Sequence, residues 1–200
     1  MKISKLSVFA FASIFAFSIF LISCGGDSSN ETEIVEEEII EEEIVEETIT
    51  EEDNESLPSP RRQVSGQIGD ATVTIDYGSP AVKGRTIFGD LEPYGEVWRA
   101  GANASTNVEF STDVTINGQT VAAGKYGVFL IPAESGDWTF ILNSVWDGWG
   151  AYDYAETNDV LRVNVTPQWS DTVQERLMYA VEDGAIKFAW DKVTLSIPVN

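Results

Sequence analysis

Residues 71–77 read Ala-Thr-Val-Thr-Ile-Asp-Tyr, and this stretch decides the fold class because its apolar and polar side chains alternate. Successive side chains of a β-strand point to opposite faces, so a period of two predicts a strand with one buried face. Further along, residues 113–116 run into Asn117-Gly118, a dipeptide typical of the tight turn of a β-hairpin. The chain therefore reads as an antiparallel β-protein.

The same pattern extends through most of residues 60–200. Further strands are expected at 107–111, 125–131, 138–142, 160–165, 176–181, 186–190 and 193–199. The run at 125–131 is almost continuously apolar, as expected for a strand covered on both faces. Nine or ten short strands joined by Gly, Asn and Asp turns predict an all-β, antiparallel β-sandwich of jelly-roll type. Only residues 87–91 and 151–157 remain as candidates for short helices.

The N-terminus carries the pattern of an export signal. Lys2 and Lys5 precede 17 mostly apolar residues, which end just before Cys24, the only cysteine of the chain. This order predicts a secretory signal peptide at residues 1–23. The alternative is an uncleaved membrane anchor, although 17 residues fall short of the roughly 20 that a transmembrane helix needs.

The residues around the cysteine, Leu21-Ile22-Ser23-Cys24, resemble the lipobox of bacterial lipoproteins. That resemblance implies thioether diacylation of Cys24 with fatty acids such as palmitate, cleavage before it, and often a third acyl chain on the new amino group. The expected location is the bacterial cell envelope, on the outer membrane and possibly exposed at the surface, with the membrane as partner. Because Cys24 is the only thiol, no disulfide or thiol nucleophile is expected elsewhere.

An acidic low-complexity tether is expected at residues 24–59. Residues 25–56 contain 15 Asp or Glu and no Lys or Arg, and Ile/Val pairs recur every five residues from Ile34. That period fits neither a strand nor a helix, and dense like charge opposes collapse. We expect a disordered, solvated stalk; the alternative is an address for export to the outer surface. Pro58 and Pro60 mark the start of the β-domain, residues 60–200.

Absences exclude several classes of function. The chain has no histidine, which removes Ser-His-Asp triads and imidazole metal sites. It has no phosphate-binding loop, no dinucleotide fingerprint and no calcium-binding loop of the usual pattern. Residues 57–200 hold 18 acidic against 10 basic side chains, so nucleic acid is a poor partner. We expect no cofactor, no metal and no catalytic residue of a recognisable class.

Three segments carry candidate ligand-binding residues. Arg85 follows Lys83-Gly84 in a loop, and its alternative role is pairing with surface carboxylates. Arg99 and Asn103 lie in Val97-Trp-Arg-Ala-Gly-Ala-Asn103, where a partly buried guanidinium requires a partner. The candidate partners of Arg99 are Asp76, Glu96 and Glu109.

The third segment is rich in aromatic residues. Trp146, Trp149 and Tyr152 are interleaved with Gly and Asp, a composition typical of platforms that stack on sugars or peptides. Large aromatic side chains also fill the cores of small sandwiches, so core packing is the alternative for these three residues.

Several of these segments together resemble a family of exported bacterial proteins catalogued as domain of unknown function 2911. The resemblance rests on residues 75–85, 93–103, 123–126, 129–132 and 149–152. It covers nearly all of residues 60–200 and implies an export context and a β-fold, without catalytic residues.

The leading functional hypothesis is a tethered, non-enzymatic binding module with a glycan or peptide ligand. One alternative is a His-independent hydrolase that acts on glycans through paired carboxylates. The other is a purely structural envelope protein.

Overall fold

The computed structural model describes residues 51–200. The predicted signal peptide, Cys24 and the tether as far as residue 50 lie outside the described residues. A short helix, α1, spans Glu51–Ser56. Ten strands follow: β1 Arg61–Ile68, β2 Ala71–Gly78, β3 Asn107–Phe110, β4 Val114–Ile116, β5 Gln119–Val121, β6 Gly124–Ile131, β7 Trp138–Asn143, β8 Asp159–Val165, β9 Gln168–Glu182 and β10 Ala185–Pro198. Within residues 51–200 no helix has the length and apolar character needed to cross a membrane.

Six strands form one antiparallel sheet in the order β1-β2-β3-β6-β7-β8. Apart from the step from β3 to β6, neighbours in this sheet are consecutive in the chain. The β4–β5 hairpin, which turns at the predicted Asn117-Gly118, occupies that step. The prediction of an all-β, antiparallel sandwich is confirmed. The strand order is that of a meander and differs from the paired Greek keys of a jelly roll.

The second layer is built around the long β9–β10 hairpin. At one side, the backbone of Thr115 in β4 exchanges hydrogen bonds with Asn200, and at the other side Val82 N donates to Glu175 O of β9 at 2.7 Å. Hydrophobic residues of both layers belong to one buried cluster. Their alternation is regular in β2, where every second residue from Ala71 to Tyr77 is buried, as the sequence predicts.

Edge-on aromatic contacts occupy the centre of the core. Phe88 packs against Trp138, Trp190 and Trp98 with ring centroids 4.7, 5.9 and 6.0 Å apart, and Trp98 stacks on Trp190 at 5.6 Å. Such pairs stabilise a core beyond the area that they bury. Phe88 belongs to the loop between β2 and β3, so this contact fixes that loop to the core.

The two segments considered as short helices have other structures. Residues 87–91 form a tight loop in which Glu92 N donates to Ile87 O at 2.9 Å, and the chain reverses at Gly89, whose φ is +92°. Of residues 151–157, only the last two join a single 3₁₀ turn, Glu156–Asn158. The end of the predicted tether also departs from a structureless stalk, because α1 lies within it.

Candidate binding surface

Arg99 lies between two buried residues, Trp98 and Ala100. Trp98 exchanges two backbone hydrogen bonds with Leu130 of β6, at 2.8 and 2.9 Å. The carbonyl of Ala100 accepts a hydrogen bond from the Tyr179 hydroxyl at 2.9 Å. Both neighbours are therefore fixed to the core, whereas Arg99 itself is half-buried.

The loop that follows Arg99 rests directly on the end of β2. A Cβ on Gly78 would lie 2.1 Å from the carbonyl oxygen of Ala102, so this position requires glycine. The same loop is fastened from the side by Arg61, whose Nη1 and Nη2 donate to the carbonyls of Ala104 and Ser105, each at 3.0 Å. Arg61 also pairs with Asp76 of β2. The loop therefore has a defined position on the sheet.

The aromatic segment, residues 145–154, lies over the outer face of the six-stranded sheet. A Cβ on Gly127 of β6 would come within 2.5 Å of Val145 O. Ser105 N donates to Gly148 O at 2.9 Å, and Ser105 Oγ donates to Gly150 O at 3.0 Å. Gly150 N in turn donates to Asn103 O at 3.0 Å. These bonds join the aromatic segment to the loop that carries Arg99.

A buried polar network holds the other end of the aromatic segment. The fully buried Asn143 donates to Asp159 Oδ1 at 2.8 Å, and the Tyr154 hydroxyl donates to Asp159 Oδ2 at 2.8 Å. Burial, followed by the hydrogen bond to Asp159, raises the pKa of Tyr154 to about 12, so this phenol stays protonated. Its ring packs on Phe129 of β6 at 5.0 Å, which covers the outer face of the apolar strand as predicted.

Two of the three predicted platform residues are exposed rather than part of the core. Trp149 has 61% of its surface exposed and Tyr152 has 86%. Core packing is therefore wrong for both. Trp146 is 37% exposed and is covered by Lys125, whose Nζ lies 4.2 Å from the ring centroid. In residues 51–200, no hydrogen bond, ion pair or ring contact joins Trp146 to Arg85 or Arg99.

Arg99 and Tyr152 meet at Gly150. The Tyr152 ring atoms lie 3.2 Å, and Arg99 Nη1 lies 3.9 Å, from the point that a Cβ on Gly150 would occupy. Gly150 has a φ of +68°, which L side chains rarely adopt, and its lack of a side chain leaves room for both groups. The structure thus brings a guanidinium and an exposed aromatic ring together.

None of the three partners predicted for Arg99, which are Asp76, Glu96 and Glu109, pairs with it in the described residues. Asp76 pairs with Arg61. Across residues 54–200, Arg99 forms neither a hydrogen bond nor an ion pair within 4.0 Å, and its buried Nε has no acceptor. The positive charge of Arg99 lowers the pKa of a different carboxyl group, that of Glu92, which was not among the predicted partners. No periodic pattern marked Glu92, because it lies in the irregular loop that Phe88 fixes.

Glu92 lies in the electrostatic field of both predicted arginines. Burial raises the pKa of Glu92 to about 7, and the positive charges of Arg99 and Arg85 oppose that rise. Arg85 is held in place by its own loop, since Nε donates to Val82 O at 3.1 Å and Nη2 donates to Ala81 O. The positive charges of two guanidiniums without ion pairs therefore act on one carboxyl group, whose pKa burial raises to about 7.

Asn103 lies at the border of this region. Its backbone binds Gly150, and its side-chain Nδ2 reaches Ser59 O at 3.5 Å, so the chain enters the domain beside it. We name the region formed by the arginine-bearing loops and the exposed rings the arginine–aromatic surface. It comprises Arg85, Glu92, Arg99, Asn103, Trp149 and Tyr152.

Grooves of several hundred Å³ lie elsewhere on the domain. One, of about 340 Å³, follows the outer face of the β9–β10 hairpin around Met178 and Thr194. Another, of about 450 Å³, lies between β8 and β10 near Asn164 and Ser196. Neither is lined by a residue of the arginine–aromatic surface. No group of three or more acidic, Cys or His side chains in the described part of the chain is placed to hold a metal ion.

Comparison with protein families agrees with the resemblance seen in the sequence. The model of the family described as Protein of unknown function (DUF2911) matches residues 59–199. The chain belongs to this family. The matched residues extend from just before β1 to the end of β10, and we call them the DUF2911 domain. They contain every residue of the arginine–aromatic surface. No curated protein and no solved structure shows significant similarity to the chain.

Proposed function

We propose that the DUF2911 domain is a non-enzymatic binding domain held on the bacterial envelope by acyl groups on Cys24. The observation that carries the binding function is the unpaired Arg99, which lies beside the exposed ring of Tyr152. A half-buried guanidinium without a partner is costly unless an anion binds it, and an exposed ring offers an apolar face. Arg99 and Tyr152 both lie close to Gly150, whose lack of a side chain leaves room for them.

The proposed ligand is a glycan or peptide that carries at least one negative charge. The test is binding of purified residues 24–200, with Cys24→Ser to prevent acylation, to arrays of charged and neutral glycans and peptides. We expect signals that Arg99→Gln abolishes and that the exposed control Arg62→Gln leaves unchanged. Equal signals from wild type and Arg99→Gln would contradict the proposed site.

Membrane attachment forms the other half of the proposal. Two or three acyl chains on one residue anchor a protein stably, whereas one chain holds only marginally. The mature chain would then extend an acidic tether from the outer membrane, with the domain at its far end. Metabolic labelling with palmitate should mark the wild type and leave Cys24→Ser unlabelled. Labelling of both proteins would contradict the lipoprotein assignment.

A second candidate function is favoured by Glu92 alone. Its pKa near 7 suits the general acid of a glycoside hydrolase. Such enzymes need a second carboxylate about 5–9.5 Å away, and that charge would raise the pKa of the acid further. The charged groups that act on Glu92 are both arginines. Binding without hydrolysis is therefore our first choice, and reducing-end release that Glu92→Gln abolishes would reverse the order.

A further inference from the structure

The charge of the arginine–aromatic surface differs from that of the domain around it. Residues 57–200 carry 18 acidic and 10 basic side chains. At this surface, the positive charges of Arg85 and Arg99 both act on the carboxyl group of Glu92. The acidic side chains of Asp147 and Asp153 belong to the adjoining aromatic segment. Two of the ten basic side chains of the domain therefore lie where they act on one carboxyl group.

The guanidiniums of Arg85 and Arg99 both have donor atoms that are free to bind a planar anion. Arg85 uses Nε and Nη2 on backbone carbonyls, which fixes its plane and leaves Nη1 free. Arg99 keeps every donor free of protein partners within residues 54–200, including the buried Nε. The Nη groups of Arg99 therefore offer paired donors that match the two oxygens of a carboxylate, and Nη1 of Arg85 offers one further donor.

Protonation of Glu92 can reduce the negative charge near a carboxylate ligand. Because burial raises its pKa to about 7, a proton taken up at Glu92 removes a like charge next to the bound anion. Glu92 lies farther than 4.0 Å from either arginine, so it does not occupy their donors by direct pairing.

The ring of Tyr152 adds a requirement on the rest of the ligand. It is 86% exposed and lies 3.2 Å from the point that a Cβ on Gly150 would occupy, and Arg99 Nη1 lies 3.9 Å from the same point. Trp149, the next exposed ring, precedes Gly150 in the chain. Flat exposed rings beside hydrogen-bonding groups suit the apolar C–H face of a pyranose.

We infer that the arginine–aromatic surface binds an acidic saccharide, with the sugar carboxylate on Arg99 and Arg85 and the ring face on Tyr152. The inference rests on the proposed binding function and narrows its ligand to a uronic-acid-type sugar. An acidic peptide would match the charge but would leave the aromatic face without a specific role.

The test uses calorimetric titration of residues 24–200, carrying Cys24→Ser, with tri-galacturonate. Its methyl ester, which is neutral and otherwise similar, is the matched ligand control. We expect esterification to weaken binding by about tenfold or more, the effect of losing one charge-assisted contact. This comparison needs no variant, so a folding defect cannot obscure it.

Two variants locate the contact. Arg99→Gln should weaken tri-galacturonate binding by about tenfold or more, while its binding of the methyl ester stays unchanged. Tyr152→Ala, at an exposed position that does not support the core, should weaken both ligands to a similar degree. Arg62→Gln, the matched loss of an exposed cation, should alter neither. Equal loss of both ligands in Arg99→Gln would overturn the assigned role of Arg99.

The remaining outcomes separate the inference from the function on which it rests. Equal binding of the acid and its ester would overturn the acidic-saccharide assignment and leave a sugar-binding function standing. Stronger binding of a blocked tri-glutamate peptide would also overturn it, in favour of an acidic protein segment. No binding of any of the three probes would refute the inference and count against the proposed function together.

Discussion

Replacement of Phe88 by leucine measures how firmly the core holds the loop that carries Arg85 and Glu92. The substitution keeps a buried apolar side chain and removes three edge-on ring contacts, with Trp138, Trp190 and Trp98. Each such pair contributes about 0.5–1.5 kcal/mol beyond area burial, so the expected loss for three pairs is roughly 1.5–4.5 kcal/mol of unfolding free energy. Phe88→Ala, which also leaves a cavity, should lose about 3–5 kcal/mol.

Denaturant unfolding followed by tryptophan fluorescence suits this measurement, because three of the contacting rings are tryptophans. Leu91→Ala is the matched control, since Leu91 lies in the same loop and is 40% exposed. It should change the unfolding free energy by about 0.5 kcal/mol or less. An unfolding free energy of Phe88→Leu within 0.5 kcal/mol of the wild type would refute the ring-contact reasoning, as would a loss in Leu91→Ala equal to that in Phe88→Leu.

Three other perturbations test the supports of the surface. Arg61→Ala leaves two loop carbonyls without their donor and should lower the unfolding free energy by about 1–3 kcal/mol, whereas the neighbouring Arg62→Ala should lower it by less than about 1 kcal/mol. Gly78→Ala forces a Cβ against a backbone carbonyl and should lower it by about 1–3 kcal/mol, in contrast to Gly148→Ala, whose nearest contact would be an ordinary 3.4 Å. Because folding raises the pKa of Glu92 above that of the unfolded chain, its contribution to stability is complete below about pH 4.5 and is lost as the pH rises towards 7. Relative to Glu92→Gln, the wild type should lose on the order of 1 kcal/mol over this range, after allowance for solvent screening of a partly exposed group.

Each comparison has a result that would contradict it. Equal stabilities of the two arginine variants would show that the bonds of Arg61 to the loop carry no net energy. Equal stabilities of the two glycine variants would mean that the loop on β2 shifts freely. Parallel pH profiles of wild type and Glu92→Gln between pH 4 and 8 would place the Glu92 carboxyl in a solvated environment.

Alternation predicted the strands that have one buried face, and its failures have a physical cause. The first half of β9, from Gln168 to Val173, is exposed on both faces, so no pattern marks it. Hydrogen bonds to β10 keep it a strand, as in the pairing of Trp169 with Val193. Asp191, with a φ of +52°, looks like a turn in sequence but is a bulge within a continuous β10.

Only some residues of the candidate site were predicted, because the site lies on irregular loops, which have no periodic pattern. The sequence singled out Arg99 because a guanidinium inside an apolar segment requires a partner, and it singled out Trp149 and Tyr152 because they belong to a cluster of aromatic residues. The burial of each ring depended on which face of an irregular loop it occupied, and no period encodes that choice. Glu92 is close to Arg99 only because the loop between β2 and β3 folds back over the core, a contact that exists in three dimensions alone.

The attachment of residues 54–61 determines where a mechanical load enters the fold. The Asn54 side chain and the Arg61 backbone exchange hydrogen bonds of 2.7 and 2.8 Å, and Arg61 also grips the loop beside Asn103. Beyond this clamp, β1 pairs with β2 over eight residues, and the bonds of an antiparallel ladder run perpendicular to the strands. If Cys24 anchors the chain as proposed, a pull on residue 61 along the axis of β1 would load the bonds of this ladder in shear and not one at a time. Arg61 also joins this point directly to the loop that carries Asn103, through the carbonyls of Ala104 and Ser105.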